Sequence, residues 1–130
     1  MQYLLLIYDS EQTISAMSEA ETKQFSADYM TFTKEIIASG HFKAGDALQP
    51  VHTATTVRVR DGKPVITDGP FAETREQLGG YYMLEAKDLN EAIQIAAKIP
   101  GAKTGSVEVR PIMEIPDSVL SENAAAVLSA

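Results

Sequence analysis

Between Asp68 and Tyr82 the chain runs Asp-Gly-Pro-Phe-Ala-Glu-Thr-Arg-Glu-Gln-Leu-Gly-Gly-Tyr-Tyr, a denser mixture of turn formers and ionisable groups than a plain helix or strand needs. Asp68 is the candidate general base: a carboxylate at a strand end beside Gly69 and Pro70 can be held rigidly and partly desolvated, which raises its basicity. The competing reading is structural, with Asp68 accepting backbone N–H groups to fix the turn or cap a helical turn from Pro70. Glu73 and Glu76 share a face if Phe71 to Gln77 is helical, a spacing suited to paired carboxylates but equally common on a solvated turn. Tyr81 or Tyr82 could donate a phenolic hydrogen bond to a bound carbonyl or enolate, and strand alternation sends the two to opposite faces. Phe71 offers an apolar anchor, and Arg58 and Arg110 could hold an anionic group or simply keep strand edges soluble. Tyr29 sits on an apolar helix stripe and is accounted for by core packing.

Several chemistries find no support. There are no cysteines, so thiolate catalysis, disulfides and Cys-ligated zinc are absent. His41 and His52 lack ligand partners at metal-binding spacing, and no metal site is expected. Gly79-Gly80 has neither the Lys-Ser/Thr of a phosphate loop nor a dinucleotide fingerprint, so no cofactor is expected either. A net charge of −7 with scattered Lys and Arg disfavours direct binding to nucleic acid or to anionic lipid. The apolar opening Tyr3 to Tyr8 is far shorter than a membrane span and carries no basic leader, so the expected location is cytoplasmic.

The elements that must position these residues read clearly. At 130 residues one domain is expected. Tyr3 to Tyr8 has the pattern of a strand buried on both faces, ended by Asp9-Ser10. Ser18 and Glu21 have capping-box spacing, and Phe25, Tyr29, Phe32 and Ile36 follow on one helical face, with Gly40 as the stop. Extended structure resumes over Phe42 to Leu48. Val57 and Val59 alternate with Arg58 and Arg60 before Asp61-Gly62, the signal of a β-hairpin returning over Lys63 to Thr67. Gly80 to Ala86 is a further strand. Asp88 and Glu91 open a second helix with an apolar stripe of Leu89, Ala92, Ile93, Ala96 and Ile99, closed by Pro100-Gly101. A last strand covers Val107 to Ile115 and is an edge or bent where Pro111 interrupts it. Two helices can cover only one face of such a sheet, so the pattern predicts an α+β, ferredoxin-like sandwich with an inserted β-hairpin, stacked sheet on sheet as a homodimer. Residues 1–115 form the expected domain. Residues 116–130 are expected to be a tail, either frayed or a short helix at a dimer interface built on Val119, Leu120, Val127 and Leu128.

Asp68-Gly69-Pro70-Phe71, with the Thr56-Val57-Arg58 and Arg60-Asp61-Gly62-Lys63 hairpin, Glu73-Thr74-Arg75-Glu76, Leu78-Gly79-Gly80-Tyr81-Tyr82 and Glu108-Val109-Arg110-Pro111, resembles the DGPF-domain proteins of the YCII-related superfamily. The resemblance covers Tyr3 to Glu114 and implies a dimeric α+β barrel. It also implies that the His on the first helix and the Asp after the second helix of typical members fall near Tyr29 and Pro100, where neither type is kept. An acid–base pair copied from them cannot operate here, and catalysis is expected to use the Asp68 segment. Two functions follow as expectations. One is a cleft lined by Asp68, Phe71, Glu73, Tyr81 and Arg110 that binds a small organic molecule and performs cofactor-free proton transfer of the isomerase or lyase type. In it Asp68 is the base and Tyr81 the donor. The other, drawn from relatives linked to sigma-factor-like proteins, is a non-catalytic ligand-sensing or accessory module with a transcription protein as partner.

Overall fold

In a computed structural model that describes residues 1–119, the chain orders itself as β1 (Gln2–Asp9), α1 (Glu11–Ser15), α2 (Glu19–Ala38), β2 (Phe42–Ala47), β3 (Thr55–Arg60), β4 (Lys63–Asp68), β5 (Gln77–Glu85), α3 (Leu89–Ala96), α4 (Gly101–Thr104) and β6 (Ser106–Pro111). Four strands make an antiparallel sheet in the order β2-β5-β1-β6, and β3 and β4 pair only with each other. This is the ferredoxin-like α+β arrangement, split after β2 by a hairpin. Most of the expected tail helix falls on residues 120–130, outside the described residues.

The central place of β1 follows from its apolar run, and its burial alternates strictly: Tyr3, Leu5, Ile7 and Asp9 are buried, while Leu4, Leu6 and Tyr8 stay partly exposed. The buried series faces the helices. Its cross-strand partners are Leu84, Tyr82 and Gly80 on β5 and Pro111, Val109 and Val107 on β6. Against it lie Phe32 and Ile36 of α2, and Ala92, Ile95, Ala96 and Ile99 from α3 and the turn after it. The opposite face, with Leu4, Leu6, Tyr81 and Met83, has no layer over it among the described residues.

Local chemistry accounts for the element ends. The Ser18 side chain accepts from the Glu21 N–H and Glu21 returns the bond to the Ser18 N–H, a complete capping box for α2. Asp88 caps α3 through the Glu91 N–H. At the hairpin, Asp61 and Gly62 take φ of 52° and 74°, the pair of positive values that a two-residue type I′ turn requires. His41 Nε2 meets Glu91 Oε1 at 3.0 Å and ties the start of β2 to α3. The Glu91 carboxyl is held below its ordinary range, first by the Lys87 N–H bonded to it and then by His41.

Four sequence expectations shift: β1 buries one face rather than both, and the last strand ends at Pro111 rather than Ile115; the other two concern α3 and Pro100. The stripe of α3 is rotated: Leu89 and Ile93 are exposed, and Ala92, Ile95 and Ala96 face inward, because small residues let the helix lie close on the sheet. Pro100 does not end the helical region but starts α4, consistent with its fixed φ at a helix N-terminus.

α4 comes unusually near β1. A Cβ added at Gly105 would collide with the Tyr8 carbonyl oxygen and lie 3.0 Å from Asp9 Cα, both backbone atoms that cannot step aside. Gly105→Ala is therefore expected to destabilise the protein by about 2–3 kcal/mol in chemical denaturation. A loss below about 0.5 kcal/mol, the range of an ordinary surface change, would show that the approach is not this tight.

Candidate functional site

The helix-covered side of the sheet does not close completely. Where α1 and the first half of α2 pass over the ends of β1, β2 and β5, they leave a cavity of about 360 Å³, bordered by Ile7, Ile14, Phe25 and Phe42 and by the polar groups of Asp9, Tyr29, Thr33 and Tyr82. This is the size of pockets that take one small organic molecule. Its walls are mainly apolar, and its polar groups converge from three elements.

Asp9 arrives as the last inward residue of β1. It is 6% exposed, the one charged residue in the described core, and donors hold both of its oxygens. The Ser10 N–H donates to Oδ1 at 2.9 Å and Thr104 Oγ1 donates to Oδ2 at 2.5 Å. A carboxylate fixed in this way retains acceptor capacity on each oxygen for a ligand.

Tyr29 comes from α2, its ring stacked on Phe25 with centroids 5.2 Å apart. Its hydroxyl accepts the Gly101 N–H at 3.1 Å. Burial is the main reason that this phenol is pushed up to about 12; the Gly101 N–H pulls the other way, and Tyr82 and Asp9 add to the rise. A Cβ placed on Gly101 would lie 2.6 Å from the Tyr29 hydroxyl and 3.8 Å from Asp9 Oδ2, so the α4 backbone packs directly against the Tyr29 hydroxyl with Asp9 close by. Tyr82 enters from β5, edge-on to Phe32 and Phe42, with its hydroxyl 2.7 Å from Thr33 Oγ1.

The arrangement offers a positioned carboxylate and a neutral phenol beside an apolar space. That pairing suits abstraction of a proton from a carbon or oxygen acid, with the phenol holding the oxygen on which charge develops. No three His, Cys, Asp or Glu residues come together to hold a metal ion among the described residues.

Of the residues singled out in the sequence, Tyr81 and Tyr82 border the cavity, and Asp68, Phe71, Glu73 and Arg110 lie elsewhere. Asp68 ends β4 on the hairpin, is exposed, and does not border the cavity. Its turn is fixed by other groups: the Gly69 N–H donates to the Ala54 carbonyl at 2.7 Å and Thr56 Oγ1 to the Gly69 carbonyl at 2.9 Å. Phe71 is 81% exposed and Glu73 is exposed in the following loop. Arg110 is on the edge strand β6, paired with Glu108 at 2.7 Å on the uncovered face. Tyr81 borders the cavity, but its register with Leu6 and Asp46 turns its ring to the uncovered face, where its hydroxyl donates to Asp46 Oδ2 at 2.6 Å. That bond raises the Tyr81 phenol.

Asp9 and Tyr29 are thus ionisable groups that border this cavity and that the sequence did not single out as a pair. Asp9 carries a usable signal, since it continues the odd-numbered series Tyr3, Leu5, Ile7 on the buried face. The positions near Tyr29 and Pro100, expected to have lost their usual residues, do meet in space: the Tyr29 hydroxyl bonds the N–H of the residue after Pro100.

Comparison with known proteins agrees with this architecture. A solved structure of 5-chloro-2-hydroxyhydroquinone dehydrochlorinase from Burkholderia phenoliruptrix AC1100, in complex with 2,5-dihydroxybenzoquinone, superposes with a TM-score of 0.51 at 13% identity, over 88% of this chain and 96% of that one. At that identity the likeness is one of fold. An uncharacterised protein of Rhizobium meliloti (strain 1021) is 36% identical over 114 residues, 86% of this chain and 92% of its own length. The YCII-related domain family matches over residues 1–116, and with a cavity on the helix-covered face of a ferredoxin-like sheet the chain belongs to that family.

Proposed function

We propose that the protein binds a small organic molecule in the cavity over β1 and β5 and catalyses cofactor-free proton transfer on it, of the isomerase or lyase type. Asp9 is the base and the Tyr29 hydroxyl the hydrogen-bond donor, in place of the Asp68 and Tyr81 pair expected from the sequence. The observation that carries the reading is a carboxylate buried at a strand end, held by two donors, next to a phenol that burial keeps neutral. The similar fold that holds 2,5-dihydroxybenzoquinone lends support, since that ring compound is of a size this cavity admits.

In this mechanism a ligand carbonyl lies against the Tyr29 hydroxyl and the acidic proton of the ligand points at Asp9. The proton passes to Asp9 while the electron pair moves onto the carbonyl oxygen as an enolate. Tyr29 stabilises that charge without giving up its own proton, because its phenol is the weaker acid there. Return of the proton to a different atom, or loss of a leaving group from the enolate, completes an isomerase or lyase cycle.

We further propose that two copies stack through the uncovered sheet face, where Leu4, Leu6, Tyr81 and Met83 are only partly exposed. A second reading, a ligand-sensing or accessory module that docks on a protein such as a transcription factor, draws on the β3–β4 hairpin, which exposes Val57, Val59 and Ile66. The same cavity would then bind a ligand without turnover.

Three measurements bear on these proposals. Exchange of the α-hydrogens of a small ring ketone for deuterium, followed by NMR, is expected to be accelerated by the protein. Asp9→Asn should remove at least about 100-fold of that acceleration. Exchange no faster than in buffer, with the ketone bound, would favour the sensor.

Absorbance titration should show one tyrosine ionising at about 12, and Tyr29→Phe should delete that step. The folded value exceeds the ordinary phenol value of about 10, so the stability this group contributes is complete below that pH and disappears as pH rises through the folded value. A tyrosine titration in which Tyr29→Phe changes only the ordinary step would disprove its burial. Light scattering should give a dimer at micromolar concentration, converted to monomer by Leu6→Asp. A wild-type monomer would end the stacking proposal.

A further inference from the structure

We infer that Thr33 sets the polarity of the cavity at Tyr82: it holds the Tyr82 hydroxyl as a hydrogen-bond acceptor, and Tyr82 thereby selects ligands that bring an N–H or O–H donor to that place. The inference rests on the cavity being the small-molecule site, and it adds a specificity-determining pair to Asp9 and Tyr29.

The direction of two hydrogen bonds carries it. Thr33 Oγ1 lies 2.8 Å from the Tyr29 carbonyl oxygen and 2.7 Å from the Tyr82 hydroxyl oxygen. These three oxygens leave two short gaps, and two hydrogens are at hand to fill them, one on Thr33 and one on Tyr82. A carbonyl can only accept, so the hydrogen in the first gap is that of Thr33. The second gap then takes the hydrogen of Tyr82. The opposite choice, with Thr33 donating to Tyr82, would leave lone pairs facing each other across the 2.8 Å contact. Bonding from a helical threonine back to the carbonyl four residues earlier is common, and here it orients a second hydroxyl as well.

Tyr82 has no room to leave this arrangement. It is buried, its ring meets Phe32 and Phe42 edge-on, and it lies over Gly45, where an added Cβ would come 2.8 Å from Cδ1. Rotation of the hydroxyl about its C–O bond is the freedom that remains, and Thr33 removes it. The Tyr82 oxygen therefore presents only lone-pair capacity to the space it borders. Tyr29 is the reverse case: its oxygen accepts the Gly101 N–H, and its own hydrogen has no acceptor among the described residues.

The cavity thus reads a ligand with opposite signs, taking an acceptor at Tyr29 and a donor at Tyr82. Tyr82 is paired with Leu5, four residues along β1 from Asp9, so the group it reads is separate from the proton that Asp9 takes. A ligand that offers an ether oxygen or a C–H at Tyr82 leaves a buried acceptor unpaired, and one that offers a donor does not.

The test is an NMR titration of the full chain with indole and benzofuran, fused rings of nearly one shape that carry an N–H or an oxygen at the same position. Their apolar burial is close to equal, so the ratio of their affinities reads the hydrogen bond. Indole is expected to bind at least about fivefold more tightly, followed through the Tyr82 and Phe42 signals. Thr33→Val frees the Tyr82 hydrogen, and indole should lose its lead or fall behind benzofuran; Thr33→Ser should keep the lead. Tyr82→Phe should abolish it. A threonine that only packs α2 would change both affinities by one factor and leave the ratio alone. A wild-type ratio near one, or a ratio unchanged in Thr33→Val or in Tyr82→Phe, overturns the proposal and leaves the cavity as a small-molecule site. Should the valine variant fail to fold, Thr33→Ala, with its higher helix propensity, takes its place. If neither probe moves those signals, the polarity assignment and the site reading fall together.

Discussion

A carboxylate buried at the end of a central strand has to be met by donors, and meeting that demand organises one end of this molecule. Asp9 lies on the inward face of β1 because strand alternation leaves it no other direction once Tyr3, Leu5 and Ile7 are buried. Left unpaired there, it would cost several kcal/mol. α4 supplies what is missing: Thr104 donates to Asp9, Gly105 allows the helix end to touch the β1 backbone, and the Gly101 N–H turns to the Tyr29 hydroxyl. Neither glycine could carry a Cβ without displacing a member of this group. The short helix that follows Pro100 thus supports two of the cavity's polar groups as well as connecting to β6.

The same constraint explains why the helices leave a space. α2 packs fully on the sheet through Phe32 and Ile36, but one and two turns earlier its inward residues are Tyr29 and Phe25, which are only partly buried. Their rings hold α2 away from the end of β2, where Gly45 gives room to the Tyr82 ring, 2.8 Å from where its Cβ would be. Large aromatic residues against glycines make a cleft with rigid walls rather than a filled core, since a ring cannot bend into the remaining gap.

Much of the frame was legible in the chain, because its signals are local. The capping box at Ser18, the Asp61-Gly62 turn and the apolar run of β1 each dictate backbone geometry within a few residues, and each is found where expected. The YCII-related family and ferredoxin-like layout were legible too. The site was less so. Asp9 reads locally as a strand terminator, and nothing near it announces that Thr104, far along the chain, will donate to it. Tyr29 reads as core, which is half of the answer: its ring packs on Phe25 and only its hydroxyl reaches the cavity. Conversely, the turn chemistry of Asp68 to Pro70 was conspicuous because turn formers are conspicuous.

That segment still bears on the site, through its far end. Past the Asp68 turn, the Thr74–Gln77 stretch folds on itself, with Gln77 Nε2 donating to the Thr74 carbonyl at 2.5 Å. Gln77 Oε1 then accepts the Glu11 N–H at 2.9 Å, at the first turn of α1, and Glu11 Oε1 accepts the Val51 N–H at 2.9 Å. Glu76 adds a bond from Ser106 Oγ at 2.8 Å. A five-residue helix is too short to be stable alone, so α1 keeps its place by these bonds and by its Ser10 cap. Because Ile14 of α1 is one wall of the cavity, the segment that stands out in the sequence bears on the cavity at one remove: it holds the wall, and the polar side chains that border the space come from β1, α2 and β5.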